Sequence, residues 1–450
     1  MRNNFLLFVL IFNIFIIHDL SSQTLIENNV SEFRVSGYLR SGIGRSKNNA
    51  TQAHFQMPGA LNKFSLGNQA DTYGELEFDY THYLNKDKTK SLDVVWMTSI
   101  YEDFGTKNKM SFNFTEQLYL RVNNLLGWGE SIWGGNRFYN RRAIHMLDRQ
   151  WINPGQKGWG FGIENLIKKD SPEDLKFAVW RFKNKDVISF INKEKSNLYN
   201  YTADVRWVDK PISETLSLNL AVNYSIRANN EKLGYKARHG FGLFSWLDYN
   251  KANITNTTAV LFRQGANVST DHWSGISYSE NMSNTNYVTS DLSKAYSLEV
   301  NNEFLYDDKD RWAVNFVTMA VVRNYGTKPY NYVEGEKQFI EDRGKMMYWL
   351  SAGARSSYYI SKFFRLTFEY THEYIDNRQL DARGHLNKLT FTPEFSLNKG
   401  MFSRPALRPF VNYSFWSDSL RGHIAQSPNG SPYGKSTSGF TYGLQFEIWW

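Results

Sequence analysis

Thr441-Tyr442-Gly443-Leu444-Gln445-Phe446-Glu447-Ile448-Trp449-Trp450, the last ten residues of the 450-residue chain, alternate without a break. Tyr442, Leu444, Phe446, Ile448 and Trp450 share one parity. Thr441, Gly443, Gln445, Glu447 and Trp449 share the other. A strand sends successive side chains to opposite faces, so one face is wholly apolar and ringed and the other mostly polar. That pattern suits a strand with lipid on one side and a water-filled lumen on the other. A soluble sandwich strand alternates too, but would rarely carry two tryptophans next to a terminal carboxylate.

The opposite end agrees. Arg2 precedes an apolar run from Phe5 to Ile17, broken only by Asn13, and Asp19, Ser21, Ser22 and Gln23 follow. The run is short for a helical span, and its order of charge, apolar stretch and small residues is that of a secretory signal. Residues 1–22 are therefore expected to be a signal peptide, cleaved near Ser22 or Gln23, and 23–450 a single barrel domain. The alternative is an anchor retained at the N-terminus.

Composition narrows the class. Mean hydropathy is −0.52, that of a soluble protein, yet 27 Tyr, 32 Phe and 14 Trp make 16% of the chain aromatic. Aromatic girdles at the two interfaces of a membrane barrel account for both values, whereas a helical membrane protein would be apolar on average. With no cysteine there is no disulfide framework, thiolate metal site or cysteine nucleophile. The formal net charge of +8 is scattered rather than blocked. It suits lipopolysaccharide phosphates or an anionic solute, and no nucleic-acid motif accompanies it.

Alternating segments recur along the whole chain. Leu216, Leu218, Leu220, Val222 and Tyr224 alternate with Ser217, Asn219, Ala221, Asn223 and Ser225; Phe364, Leu366, Phe368 and Tyr370 alternate with Arg365, Thr367, Glu369 and Thr371. Charge on the inner parity requires water or a partner there. Eighteen such segments begin near Phe33, Asp71, Ser91, Thr115, Ser131, Trp159, Asp174, Asn197, Thr215, Ala237, Asn256, Lys294, Arg311, Met346, Phe363, His385, Ala406 and Gly439. The fold expected is an all-β transmembrane antiparallel barrel of 18 strands, with long gaps such as 266–292 and 324–344 as extracellular loops and short gaps as periplasmic turns. Sixteen to 18 strands leave an aqueous channel, so the default function is passage of a solute.

Aromatics on the wet parity are the anomaly. Trp449 accompanies Gln445 and Glu447, Tyr38 lies between Ser36 and Arg40, and Tyr73 lies beside Asp71, Glu75 and Glu77. A ring held in water offers its face to a flat, wet-edged partner such as a pyranose; otherwise it packs beneath an inward-folded loop. Arg40, Glu75, Glu77, Arg141 and Asp148 supply both signs of charge, which favours hydrogen bonding to neutral hydroxyl-rich solutes over passage of one ion sign. Pairs that merely satisfy one another across the wall are the plainer account.

Gly37-Tyr38-Leu39-Arg40-Ser41-Gly42-Ile43-Gly44, then Leu66-Gly67-Asn68 and Thr72-Tyr73-Gly74-Glu75-Leu76, resemble the opening strands of maltoporin, the LamB type of sugar porin. Ser131-Ile132-Trp133 through Arg137-Phe138-Tyr139, with Arg141, His145-Met146 and Asp148, resembles its constriction-loop segment. Ser403-Arg404-Pro405-Ala406 and Phe446-Glu447-Ile448-Trp449-Trp450 complete the match. The middle third, about 168–345, is recognisable only as barrel.

The resemblance implies a homotrimer, an inward-folded third long loop and an aromatic slide for maltodextrin-like oligosaccharides, in the outer membrane of a Gram-negative bacterium. By motif, Tyr38, Tyr73 and Trp449 fall on slide positions, Phe402 replaces a tryptophan, and Phe104 matches the ring lent by a neighbouring subunit. The remaining slide ring, expected near Ile254 or Thr255, has no counterpart. Arg40, Glu75, Arg141, His145, Asp148 and Gln150 fall on the polar track and constriction. This chain departs at Ser65 and Thr115, where enteric members carry arginines, at Gln150, where they carry tyrosine, and at Ala143, where they carry aspartate. The maltodextrin preference is therefore open, and the rival is a general or anion-selective porin. No cofactor or metal is expected. An enzyme is disfavoured by the absence of Gly-x-Ser-x-Gly and His-Glu-x-x-His motifs.

Overall fold

The computed structural model describes residues 23–27, 30–60, 62–104, 110–152, 158–167, 171–188, 195–269, 290–334, 336–425 and 430–450. The expected signal peptide, 1–22, lies outside them. The wall opens with β1 (Ser31–Arg45), β2 (Asp71–Tyr83), β3 (Ser91–Asp103), β4 (Ser111–Asn123), β5 (Ser131–Asn136) and β6 (Trp159–Glu164). It continues through β7 (Asp174–Ile188), β8 (Lys195–Pro211), β9 (Leu216–Arg227), β10 (Arg238–Lys251), β11 (Ile254–Gly265) and β12 (Tyr296–Asp307). It closes with β13 (Trp312–Asn324), β14 (Met346–Tyr359), β15 (Phe364–Asn377), β16 (Ala382–Ser396), β17 (Ala406–Trp416) and β18 (Ser438–Trp449).

Each strand pairs antiparallel with the next, and β18 returns to β1 through the register Tyr38↔Trp449 and Arg40↔Glu447. The result is a closed ring of 18 strands, which leaves no open sheet edge in lipid. A short strand, Gln23–Glu27, pairs with the start of β1 outside that ring. Every wall strand begins within four residues of its expected start; the largest offset is β4, at Ser111 rather than Thr115. A bulge explains it. Met97↔Gln117 is followed by Ser99↔Asn113, so β4 carries two extra residues there and the alternation is interrupted.

The outward parity is apolar and ringed, as at Phe440, Tyr442 and Leu444 on β18. The inward parity is charged and cross-linked. Lys388 donates to Glu369 at 2.7 Å, which also receives Arg355, and Arg408 joins Glu394 to Glu447 at 2.9 and 2.7 Å. Paired in this way, the charges meet the demand that inward groups find water or partners.

Two long loops fold into the bore. After β5 the chain turns inward and forms a hairpin, Arg142–Ile144 against Arg149–Ile152, around a 3-10 turn at His145–Leu147. Its anchors lie on strands across the bore: Arg149 Nε donates to Glu299 Oε1 of β12 at 2.9 Å, and Arg263 of β11 donates to the Trp151 carbonyl at 2.9 Å. The segment 46–70 after β1, not expected to fold inward, lies beside it. Its Phe55, Met57, Phe64 and Leu66 are buried, the Ser65 N–H donates to the Met146 carbonyl at 2.8 Å, and Asn62 donates to the Asp148 carbonyl at 3.0 Å. At Gly67 (φ +64°) the loop presses on the wall so closely that a Cβ would lie 2.9 Å from Phe410. Only glycine fits both the left-handed backbone and the space. The segment 324–344, expected as an extracellular loop, contains a hairpin of its own, Tyr330–Val333 with Glu336–Phe339.

Candidate functional site

The inward alternation of β1, β2 and β18 sets Tyr38, Tyr73 and Trp449 side by side on the lumen face. Tyr38 lies opposite Trp449 on one flank and Glu75 on the other, and Arg40 lies opposite Tyr73. Ring centroids are 6.1 Å apart for Tyr73 and Tyr38, and 6.4 Å for Tyr38 and Trp449, the latter pair stacked at 22°. The row continues onto two loops. The His145 ring of the inward hairpin is 6.5 Å from Trp449 and 5.3 Å from Phe402, which the turn 397–405 carries inward between β16 and β17. Five rings thus form one connected arc. All are partly or wholly open to the lumen, unlike Trp151, Trp349 and Trp416, which are buried beneath the loops. Packing under a loop accounts for those three and not for the arc.

Polar groups flank the arc. Arg40 donates to Asp148 at 2.9 Å and to Asp71 at 3.3 Å, and its guanidinium lies 5.4 Å from the Tyr73 ring centroid. Asp148 sits in a left-handed conformation at the end of the 3-10 turn, and 44% of its side chain is exposed. Arg141 reaches Glu75 at 4.0 Å while covering the Phe138 ring at 4.2 Å. Tyr73 donates to Glu75, and Tyr38 donates to Glu447 at 3.1 Å. Arg404 completes the far flank, 2.6 Å from Glu447 and 4.3 Å from the Trp449 centroid. Arg40, Arg141, Arg404 and Arg408 face Asp71, Glu75, Asp148 and Glu447, so both signs line the site. Crowding by surrounding protein pushes the His145 imidazole below its ordinary value of 6.5, with Glu447 opposing and Arg404 reinforcing the shift. It is therefore neutral at neutral pH, with ring nitrogens for one donor and one acceptor.

Of the twelve residues singled out in the sequence, nine form one connected group in the bore, and Glu77, further along the inner parity of β2, accepts from Gln117 at 2.9 Å. Gln150 faces Ala143 across the hairpin, and its Oε1 has no hydrogen-bond partner. Phe104 is elsewhere. Its N–H bonds the Ala70 carbonyl, and its ring lines a groove with Ile43, Tyr442 and Leu444 on the outer surface, away from its own pore. Ile254 and Thr255 open β11 near the turns and belong to no ring cluster. Ser65 lies within the constriction, its hydroxyl 3.3 Å from the His145 carbonyl, whereas Thr115 occupies the β4 bulge. Arg404, Arg408 and Asp71 join the site without having been singled out. Arg408 and Asp71 lie on the same inner parity as Glu447 and Tyr73, so the alternation alone marks them.

The sequence matches the LamB porin family over residues 33–450. The chain belongs to the LamB porin family. The matched region takes in every wall strand but the first two residues of β1. Among solved structures, Pseudomonas aeruginosa OccD3 (OpdP) is similar at 9% identity, with a TM-score of 0.46 over 96% of this chain and 95% of that one. The Acinetobacter baumannii outer-membrane channel DcaP is similar at 10% identity and a TM-score of 0.46, over 95% and 99%. Wzi of Escherichia coli, titled a carbohydrate-binding β-barrel involved in capsule assembly, has 11% identity and a TM-score of 0.40 over 92% and 84%. As a LamB porin, the chain is an outer-membrane channel protein, and its arc of rings lies in the bore of that channel.

Proposed function

We propose that this porin carries maltodextrins or related linear oligosaccharides by facilitated diffusion, with the arc Tyr73–Tyr38–Trp449–His145–Phe402 as the track. The observation that carries the reading is the continuity of that arc. Each ring lies within 6.5 Å of the next and keeps a face toward water. A pyranose has two weakly apolar faces and a hydroxyl edge, so it stacks on a ring while its edge exchanges hydrogen bonds with charged neighbours. Arg40, Arg141 and Arg404 offer donors to hydroxyl oxygens; Glu75, Asp148 and Glu447 accept from hydroxyls. Successive rings let the sugar exchange one contact for the next without leaving the wall, and passage needs binding weak enough to release.

The working form is a homotrimer, exported by a cleaved signal peptide and surrounded by outer-membrane lipid and lipopolysaccharide. In such a trimer Phe104, exposed on the outer surface, would meet a neighbouring subunit. Electrophoresis without boiling, together with crosslinking, tests the assembly; a purely monomeric species under both treatments refutes it.

The rival, an anion-selective or general porin, draws on the net charge of +8. The presence of both signs of charge beside the arc argues against it. The deciding measurement is current through one purified trimer in a planar bilayer, titrated with linear oligosaccharides. Brief blocks whose affinity climbs with chain length up to about five units are expected if each ring adds a contact. Absence of sugar block, with strong anion preference in a salt gradient, would replace this reading with the rival.

A further inference from the structure

The outer face of the wall contains an oddity at β7–β10. Trp180 and Phe182 of β7 are buried against Trp133 and Tyr139 inside the barrel, which turns Arg181 and Lys183 outward, toward lipid. The Arg181 guanidinium lies 4.3 Å from the Tyr199 ring centroid, and Lys183 Nζ lies 6.0 Å from the same ring. Neither forms an ion pair among the described residues. Arg181 lies in one register row with Trp159 of β6 and Tyr201 of β8, and Lys183 lies opposite Tyr199 in the row above. At about 3.3 Å per residue and a tilt near 45°, the two cations stand roughly 16 to 21 Å above the start of β7. Measured from the start of β7, that is the upper part of an apolar band about 25 Å tall, toward the end from which the long loops emerge. Below them a groove of about 560 Å³ runs over Val179 and Ala203, between Trp159, Phe161 and Tyr224.

A comparable groove on β12–β16 supplies the contrast. Arg383 donates to Tyr374 at its end at 3.0 Å, but Asp376 lies 4.0 Å from Arg383 and 2.6 Å from Arg378. Among the described residues, the β7–β10 rim places no such carboxylate against Arg181 or Lys183. Two outward cations in the upper part of the wall, steadied by a ring and with no ion pair among the described residues, call for an external anion. An apolar groove directly beneath calls for a chain attached to it.

We propose that this rim binds a phosphorylated, acylated glycolipid of the outer leaflet, lipopolysaccharide, with a phosphate between Arg181 and Lys183 and an acyl chain in the groove over Val179 and Ala203. The inference rests on the outer-membrane placement and names one site for the lipid partner; it does not depend on which solute the pore carries.

The test uses the full-length trimer in detergent, titrated with diphosphoryl lipid A, with lipid A stripped of its phosphates, and with phosphatidylglycerol, and read by native mass spectrometry. Diphosphoryl lipid A should bind the wild type, and R181A/K183A should weaken that binding about tenfold or more, since each basic residue near an anionic surface contributes about 1 kcal/mol. R383A should bind as the wild type does. Stripping the phosphates should weaken wild-type binding to a similar degree, and this arm needs no variant if the double substitution fails to fold. Phosphatidylglycerol should bind less tightly than diphosphoryl lipid A, because it lacks the second phosphate. Equal binding by the double variant, equal binding of the stripped lipid, or a K183C crosslink between subunits, which would place the rim in the trimer interface, overturns the proposal. Planar-bilayer conductance of the same samples keeps the readings apart: loss of channel activity in the wild type refutes the porin function, whereas lipid binding unchanged in R181A/K183A with normal conductance refutes only the lipid site.

Discussion

Trp449→Ala cuts the aromatic arc at its centre. Trp449 bridges Tyr38 and His145, at 6.4 and 6.5 Å, and its removal leaves two separate pairs, Tyr73 with Tyr38 and His145 with Phe402. The ring is half-open, so a stacked sugar covers roughly 30 Å² of indole, worth ~0.75 kcal/mol at about 25 cal/mol per Å². A well-made ring contact adds about 0.5 to 1.5 kcal/mol beyond that area. The total, about 1.3 to 2.3 kcal/mol, predicts oligosaccharide block of ion current weaker by about tenfold or more. Arg404 loses the ring beneath it but keeps Glu447 at 2.6 Å, so open-pore conductance should hold or rise slightly. Trp449→Phe, which keeps a smaller ring, should recover about half of the lost free energy. The assay is single-trimer current in a planar bilayer with maltotriose and longer linear oligosaccharides. Unchanged block in Trp449→Ala, with the trimer intact, would refute the idea that this ring carries sugar.

Three further outcomes are expected. The combined substitution Ser65→Arg, Thr115→Arg and Gln150→Tyr should lower conductance and tighten maltotriose binding, with Ser65→Arg carrying most of the effect because Ser65 alone of the three touches His145; single-channel titration of each variant checks this. Arg149→Ala leaves Glu299 buried without its partner, a loss of about 3 to 5 kcal/mol, so the hairpin should loosen and open-channel noise should rise, while Arg149→Met with Glu299→Gln should restore a quiet pore. Because the His145 pKa is depressed below 6.5, the ring is neutral above that pH and sugar block should be flat from there into the alkaline range. Acidification then adds a cation between Arg404 and Arg40 and should lower cation permeability, as reversal potentials across a pH series would record.

The wall was legible in the sequence because a period of two runs through the strands, broken most by the β4 bulge, where the expected start was furthest off, and a one-residue slip would put charge into lipid. The interior was legible only where parity decided it. Tyr38, Tyr73 and Trp449 announced themselves as rings among charges, and Arg365 and Glu369 as charges opposite rings. His145, Asp148 and Phe402 lie on turns and a 3-10 segment, where no period marks direction, so family motifs alone identified them. The inward path of 46–70 was invisible for the same reason. Phe55, Met57, Phe64 and Leu66 follow no regular spacing, although so many apolar residues in a long, irregular segment is itself a sign that something covers them. Phe104 closes a strand at its rim, where the alternation ends and its side cannot be read.

The seam between the first and last wall strands has a consequence of its own. Tyr38 and Glu447 touch across 409 positions of sequence, and the arc of rings straddles that junction. Tyr73 and Tyr38 come from one end of the chain, Trp449 and Phe402 from the other. No partial ring of strands contains the track. A half-formed barrel has neither a finished wall nor a recognition surface, and both come into being in the single act of closure.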